Sequence, residues 1–554
     1  MSRPPGEPAL PSDAEVRAGL ASGDLDRFAA LFDALWYDLP DRFAPEVLQV
    51  VDGLPPAVLD ARPRLTHAAL LARQRTSPAD DDGRALRRAL QLYAAAGQRC
   101  AARLPSITRP GDLVAAGAAA VVSARLRGDH EGAERLGAWT DARITLGPAA
   151  DAPLRPAPPA SARPGWLTAE RGLTALLAGA PDRASRLLTR AYTEAGDPPY
   201  AHVAGVGAAA NLALLTAYRG HLDAARGWLA AAGDAGAVAP WIAHLTTAGG
   251  EIARALIAVA EGDPARAADH LHRLGPPSRH PELWPFVVLA NATYEAHFGD
   301  PHRGLRLLDE ARQQHGALRP APTTLTGELV LRAEATLQLR VGAGTRVLHL
   351  ADRHGEVEFL LLHAAWAHAL AGEYHEATRL SSEALQHHDL PVDDLVGHHL
   401  VQATAALRTG HDERAASSFR AAVRLRATPA HVAPFLMLPD DVLAELSALA
   451  RVPDPLHAGA VTVRYQPPPP APLVHLTPRE REVLRALATG LTADQAAAHF
   501  GVAATTVRTQ IRSVYRKLRV SRRREALARA QELGLLRAPR RTPADGAART
   551  PGRR

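Results

Sequence analysis

The most regular pattern of small, apolar and polar positions along this chain is a glycine with a small residue five positions later. It occurs at Gly128/Ala133, Gly179/Ala184, Gly220/Ala225, Gly262/Ala267, Gly299/Gly304, Gly372/Ala377 and Gly410/Ala415. Successive glycines are 51, 41, 42, 37, 73 and 38 residues apart. The gap of 73 reads as two units with a degenerate member near Gly344, and the gap of 51 holds a Pro/Ala-rich insert, Gly147–Gly165. A glycine that ends one helix in the left-handed region, followed by a small residue where the next helix crosses closely, gives this spacing. Leu or Trp three places beyond the small residue (Leu136, Leu187, Trp228, Leu307, Leu380) keeps the helical period on the packed face. The pattern predicts helical hairpins of roughly 40 residues. Abundant alanine and only 5% aromatics favour helix over strand.

Within this body, Ala365–Leu385 resembles a tetratricopeptide unit through Gly372, Tyr374 and Ala377 between two apolar helices. Leu54–Ala72 reads as helices broken by prolines. The fold class expected is all-α: a tetratricopeptide-like solenoid over 13–450, then a separate four-helix module. A solenoid buries a continuous core between neighbouring repeats and exposes a concave face, which implies a bound partner protein, peptide or small ligand. A spacer or dimer scaffold is the plainer alternative. Residues 451–472, with the run Gln466 to Pro472, are expected to be an extended polyproline linker. The ends, 1–12 and 538–554, are expected to be disordered, the latter a basic tail.

The module at 473–537 carries denser local signals. Thr477-Pro478-Arg479-Glu480 is a capping box with proline at the first helical position, and Thr492 with Gln495 forms a second. Gly490, Gly501 and Gly534 mark stops. Four helices follow, from Thr477, from Thr492 to Phe500, from about Ala504 to Leu518, and from about Arg522 to Leu533. The middle two form a helix-turn-helix: Ala497 is small at the crossing, Gly501 makes the turn, and Val507 plugs the core. In the third helix Val507, Ile511, Val514 and Leu518 face inward, leaving Arg508, Thr509, Arg512 and Arg516 outside.

Leu476, Thr477, Arg479, Glu480, Glu482, Val483, Leu484, Gly490, Ala497, Thr506, Val507, Lys517, Leu518, Val520, Ala526 and Leu533-Gly534-Leu535 make residues 476–536 resemble the LuxR-type (LuxR/FixJ) helix-turn-helix domain. The 54–72 segment resembles the start of the helical-repeat region in large regulators of that type. The resemblance implies a bacterial transcription regulator bound to double-stranded DNA. It implies that Arg508, Thr509 and Arg512 enter the major groove, where arginine pairs with guanine, and that Thr505, Thr506, Arg516 and Lys517 contact phosphates. It also implies a homodimer paired through the fourth helix, with Ala526, Ala530 and Leu533 as the seam; the alternative is that these residues pack only against their own domain. The sequence departs from the family at Asp494, expected to repel a nearby phosphate, at Gln510, where histidine is common, and at Ala503, where a serine cap is usual.

Charge agrees with that reading. From Leu473 onward there are 18 basic and 6 acidic residues, leaving 46 and 52 for the body, so a basic module hangs from a mildly acidic one. Lys517 is the only lysine beside 63 arginines, which reads as genomic base composition. The single cysteine, Cys100, sits in an alanine-rich stretch and is expected to be an inert core thiol. No apolar run spans a bilayer and no signal segment opens the chain, so a cytoplasmic protein that contacts no membrane is expected.

Enzyme chemistry finds no support. No G-x-x-x-x-G-K-[ST] occurs, so the ATPase that large LuxR-type regulators often carry is not expected. Gly205-Val-Gly207-Ala-Ala-Ala210 mimics a dinucleotide fingerprint but lies in a helical stretch. The 25 histidines, including His387-His388-Asp389 and His398-His399, show no metal-ligand spacing and read as scattered surface residues, with a ligand-contact role in the solenoid as the alternative. No cofactor, metal or catalytic residue is expected. The alternative function is a protein-interaction scaffold with a weak or vestigial DNA-binding module.

Overall fold

The computed structural model describes every residue except 1–10, 37, 77–83, 147–163, 197–202, 234–245, 316–323, 356, 388, 457–464, 472 and 537–554. Most of the Pro/Ala-rich insert, the middle of the linker, His388 and the arginines of the basic tail therefore lie outside the described residues. Among the described residues there are 27 α-helices and no strand.

Helices α1 (Asp13–Ala21), α2 (Leu25–Leu35), α3 (Asp38–Asp52), α4 (Pro56–Asp60), α5 (Pro63–Thr76) and α6 (Arg84–Arg103) open the chain. Ser12, within the stretch expected to be disordered, instead caps α1 in a box with Glu15. Prolines start α4 and α5, as the pattern over 54–72 predicts. Phe28, Phe32, Phe43 and Leu65 fill the core of this end, and the Trp36 and Trp166 rings, 4.8 Å apart, join it to the hairpins that follow. Cys100 is buried here, and desolvation pushes its thiol up to about 11, which keeps it protonated and inert.

Eight hairpins follow: α7 (Pro110–Leu126) with α8 (His130–Leu146), α9 (Trp166–Leu177) with α10 (Pro181–Ala195), α11 (Ala204–Tyr218) with α12 (Leu222–Ala232), α13 (Ala248–Ala260) with α14 (Pro264–Leu274), α15 (Trp284–His297) with α16 (Pro301–Gln314), α17 (Leu325–Arg340) with α18 (Gly344–Arg353), α19 (Leu360–Leu370) with α20 (Tyr374–Ala384), and α21 (Val392–Arg408) with α22 (Asp412–Leu425). The glycine rule holds at Gly128, Gly179, Gly220, Gly262, Gly372 and Gly410, all with positive φ. At each, the amide after the glycine returns to a carbonyl five residues back, as in Glu373 to His368 at 2.9 Å. The degenerate unit turns at Gly342 (φ 73°), two residues before the expected place, and Gly344 instead opens α18. Gly299 is the exception. Its φ is not positive, and it is glycine because a Cβ would lie 2.1 Å from the Glu295 carboxylate that accepts from the Asp300 amide.

The two helices of a hairpin differ in kind. Eleven of the fifteen residues of α11 are buried, against three of eleven in its partner α12. First helices are apolar around most of their circumference and lie inside; second helices carry one apolar stripe and lie outside. The stack also curls back on itself. The Val392 amide bonds Arg219 O at 3.1 Å, and the Val432 amide, before the short turn Ala433–Met437, bonds Ala260 O at 2.7 Å. The concave face is therefore drawn inward around a small interior space.

After α23 (Asp440–Ala450) the described part of the linker lies along the body. Arg340 donates to Gln466 O at 2.6 Å, the Ala471 amide to Leu370 O at 3.3 Å, and the Val474 amide to Thr345 Oγ1 at 2.9 Å. Helices α24 (Pro478–Ala488), α25 (Ala493–Phe500), α26 (Ala504–Leu518) and α27 (Arg523–Glu532) complete the chain.

Candidate nucleic-acid interface

Both expected capping boxes close in the C-terminal domain: Thr477 with Glu480 starts α24, and Thr492 with Gln495 starts α25. Gly501 ends α25 at φ 67°. A Cβ there would meet nothing within 4 Å, so the turn needs glycine for its backbone angle and not for room. Ala497 and Val507 are buried beside it, with Val483 and Leu487 from α24. Ala503 precedes α26 without a side-chain cap. Arg479 lies over the Phe500 ring at 4.3 Å and reaches Glu482 at 2.7 Å, bracing α24 against α25.

This packing aims one side of α26 outward. Val507, Val514 and Leu518 are buried and Ile511 is half-buried. Thr505, Thr506, Arg508, Thr509, Arg512 and Arg516 are exposed even with the whole body present. Arg512 has no carboxylate partner among the described residues. Arg516 reaches only its neighbour Ser513, at 3.4 Å. Thr509 donates to Thr505 O at 3.0 Å, leaving its oxygen free to accept.

Two of the candidate residues are engaged within the domain. Arg508 donates to Asp494 at 2.7 Å, with both side chains more than half exposed. Asp494, expected to act on DNA only by repulsion, thus also holds a candidate base-reading arginine. Lys517 turns back to Glu480 at 2.6 Å. Burial works against charge on Glu480, but the Lys517 ammonium, the Thr477 amide and the Ser513 hydroxyl outweigh it and bring the carboxyl down to about 2. Lys517 ties the recognition helix to the start of α24, a structural role that sequence spacing did not reveal. Gln510 buries its Oε1 without a partner.

The residues expected to form a dimer seam pack within the domain. Ala526 and Ala530 are fully buried and Leu533 is 8% exposed, all inside the domain's own core with Leu484, Val514 and Leu518. Small side chains at that spacing let α27 lie close on α26. The residues of α27 that face solvent are Arg524, Glu525, Ala528, Arg529, Gln531 and Glu532.

Residues 474–530 match the family model described as "Bacterial regulatory proteins, luxR family". These residues form a luxR-family helix-turn-helix domain. The same region is similar to the HTH-type transcriptional regulator MalT of Serratia proteamaculans (strain 568), 48% identical over 58 residues, which is 10% of this chain and 6% of that protein. It is 47% identical over 58 residues to the regulator of the same name from Cronobacter sakazakii (strain ATCC BAA-894), and 48% over 58 residues to that of Yersinia pestis (strain Pestoides F), again covering 10% of this chain and 6% of each relative. The match therefore spans a small fraction of these relatives and leaves the helical body outside it.

The body shows where the sequence misled. His221, His272, His302, His411, His475 and His499 are exposed, while His67, His270, His280, His363, His368, His398 and His431 are buried, so these seven are not the surface residues expected. Most are packed or hydrogen-bonded inside the hairpins, as with His280 Nε2 to Leu274 O at 2.9 Å. Among the described residues no group of three His, Cys, Asp or Glu could hold a metal ion. Gly205–Ala210 lies within α11. No described helix is long and apolar enough to cross a membrane.

Proposed function

We propose that this protein is a DNA-binding transcription regulator that lays α26 in the major groove, with Arg508, Thr509 and Arg512 on base edges and Thr505, Thr506 and Arg516 on phosphates. The observation that carries this is the exposed, cationic outer side of a luxR-family α26 in the complete chain. Lys517 joins the phosphate set only if it leaves Glu480. Two copies pair through the solvent-facing side of α27 and read an inverted repeat. The hairpin body takes a regulatory effector, and the protein works in the cytoplasm, where its DNA is.

Fluorescence anisotropy of the full chain against genomic fragments tests the reading. Affinity is expected to fall with salt at a slope of about −0.9 per neutralised phosphate, with a few fragments bound far above the rest. The Arg508–Asp494 pair and the uncapped start of α26 favour one second reading, an interaction scaffold with a weakened DNA module. A salt-insensitive response without preferred fragments selects that scaffold.

A further inference from the structure

The inward curl of the hairpins leaves a cavity of about 170 Å³ between the first helices α11, α13, α15, α17, α19 and the start of α21. Most of its wall is apolar, including Leu256, Leu289, Leu362 and Trp366. An apolar cavity of roughly 150 Å³ is enough to take up benzene. The polar groups in the wall are few and arranged by charge. Arg332 binds both oxygens of Asp394, at 2.7 and 2.8 Å, and lies 3.9 Å from Glu328, which also accepts from Tyr218 at 2.9 Å. That accounts for its charge, yet its buried Nε–H has no acceptor. Desolvation, followed by the nearby Arg332 charge, brings His363 down to about 4, and desolvation holds His297 well below the ordinary histidine range, so both rings are neutral at pH 7. The hydroxyls are spent as donors: Thr293 on Leu289 O at 2.8 Å and Thr336 beside His363 Nε2 at 3.0 Å.

His297 also connects the cavity to the linker. Its Nδ1 lies 2.6 Å from Arg340 Nη2, and being neutral it accepts there, which places its hydrogen on Nε2. Arg340 is 6% exposed, has no carboxylate partner among the described residues, and spends its other Nη on Gln466 O at 2.6 Å. A buried cation thus rests on one cavity-wall histidine and one linker carbonyl.

We propose that this cavity is an effector site for a small, neutral, mainly apolar molecule bearing one carbonyl oxygen, and that its occupancy tightens the Arg340 hold on the linker. The carbonyl accepts from Arg332 Nε–H and His297 Nε2–H. Fixing the His297 ring keeps Nδ1 on Arg340, and Arg340 in turn keeps Gln466 against the body. An anion is disfavoured because the two carboxylates beside Arg332 leave no excess positive charge. A purely apolar molecule leaves the Arg332 donor unmet. This rests on the reading of the body as an effector domain, but binding to the cavity is measured without DNA, so either idea can fail alone.

The probes are acetophenone, ethylbenzene and benzoate, followed by ligand-observed NMR and thermal melting of the full chain. Acetophenone is expected to bind and raise the melting temperature, ethylbenzene to bind about tenfold more weakly for the lost hydrogen bond, and benzoate not to bind. Absence of acetophenone binding at millimolar concentration, or benzoate binding as tightly, overturns the site. Hydrogen exchange at the Ala471 and Val474 amides should slow when acetophenone is bound; unchanged exchange in the bound protein overturns the coupling. In His297→Phe, which keeps a ring in place, both acetophenone affinity and amide protection should drop. If that variant folds and changes neither, the relay is refuted; if it does not fold, the three probes on the native chain still decide the site.

Discussion

Arginine serves opposite ends in the two regions of this molecule. In the body it is built in: Arg125 is 1% exposed at its side chain and grips Glu170 at 2.7 Å and Glu282 at 2.5 Å, while Arg332 spans both oxygens of Asp394. In the C-terminal domain it is held out: Arg508 is 53% exposed, and Arg512 and Arg516 face solvent without a carboxylate among the described residues. The side chain is the same and the supply of acids differs. The body has 52 acidic residues for 46 basic ones, the segment from Leu473 only 6 for 18. Where acids are scarce, cationic charge is left for an external polyanion; where they are plentiful, it becomes internal structure.

The comparison is broken most severely from the body side. Arg125→Met strands two carboxylates in the junction between α7, α9 and the segment before α15, and should cost ~3–5 kcal/mol, read as a fall in the full chain's denaturant midpoint. A change within the ordinary surface range, about 0.5 kcal/mol, would mean that water reaches the site and the pair is not internal structure.

The C-terminal domain has one body-like pair of its own, and pH isolates it. Glu480 titrates at about 2 instead of its ordinary value of 4.5. Because its folded-state value is depressed, its contribution is complete above about pH 4.5 and is lost as pH falls toward 2, amounting to about 1–2 kcal/mol after solvent screening of the partly exposed Lys517. Hydrogen exchange in α24 and α26, corrected for intrinsic rates, should show wild type more protected than Glu480→Gln at pH 6, with the gap closing below pH 4. A gap independent of pH would place the effect in the capping box geometry instead of in charge.

Legibility in the sequence followed the range of the interactions. Thr477, Thr492 and Gly501 act within five residues of themselves, and the structure has each in its expected role. The hairpin glycines were readable for the same reason. Gly342 was missed because five residues beyond it stands Val347 and not a small residue. The internal contacts of Lys517 and Asp494 were not legible because their partners, Glu480 and Arg508, lie 37 and 14 residues away. Ala526 and Ala530 fit a seam between copies and a seam between α26 and α27 equally well on spacing alone. The cavity was invisible because Tyr218, His297, Arg332 and Asp394 meet only when the stack curls. One signal for it existed: an arginine or histidine inside a first helix that is buried around most of its circumference, as Arg332 in α17 and His363 in α19, has to find partners in the interior.

A gentler break comes from the exposed side. Arg512→Ala removes a cation that no internal acid needs, so stability should stay within about 0.5 kcal/mol while affinity for the preferred fragment falls by ~1–3 kcal/mol and one base position relaxes. Denaturation and anisotropy on the same preparation separate the two. Equal weakening on every sequence would move Arg512 to the phosphate set.

The smallest effect is the most discriminating, because Asp494 is the acid that makes Arg508 look momentarily like an arginine of the body. An exposed pair of this kind is worth ~0.2–1 kcal/mol. Asp494→Asn should therefore raise DNA affinity only two- to fivefold at low salt, through release of Arg508 for the groove and relief of repulsion toward a phosphate. The two routes separate in a double-mutant cycle. If Asp494 acts by holding Arg508, its removal gains nothing in an Arg508→Ala background. If the gain survives there, repulsion is the whole effect, and the 2.7 Å contact is an exposed pair that DNA binding displaces at little cost.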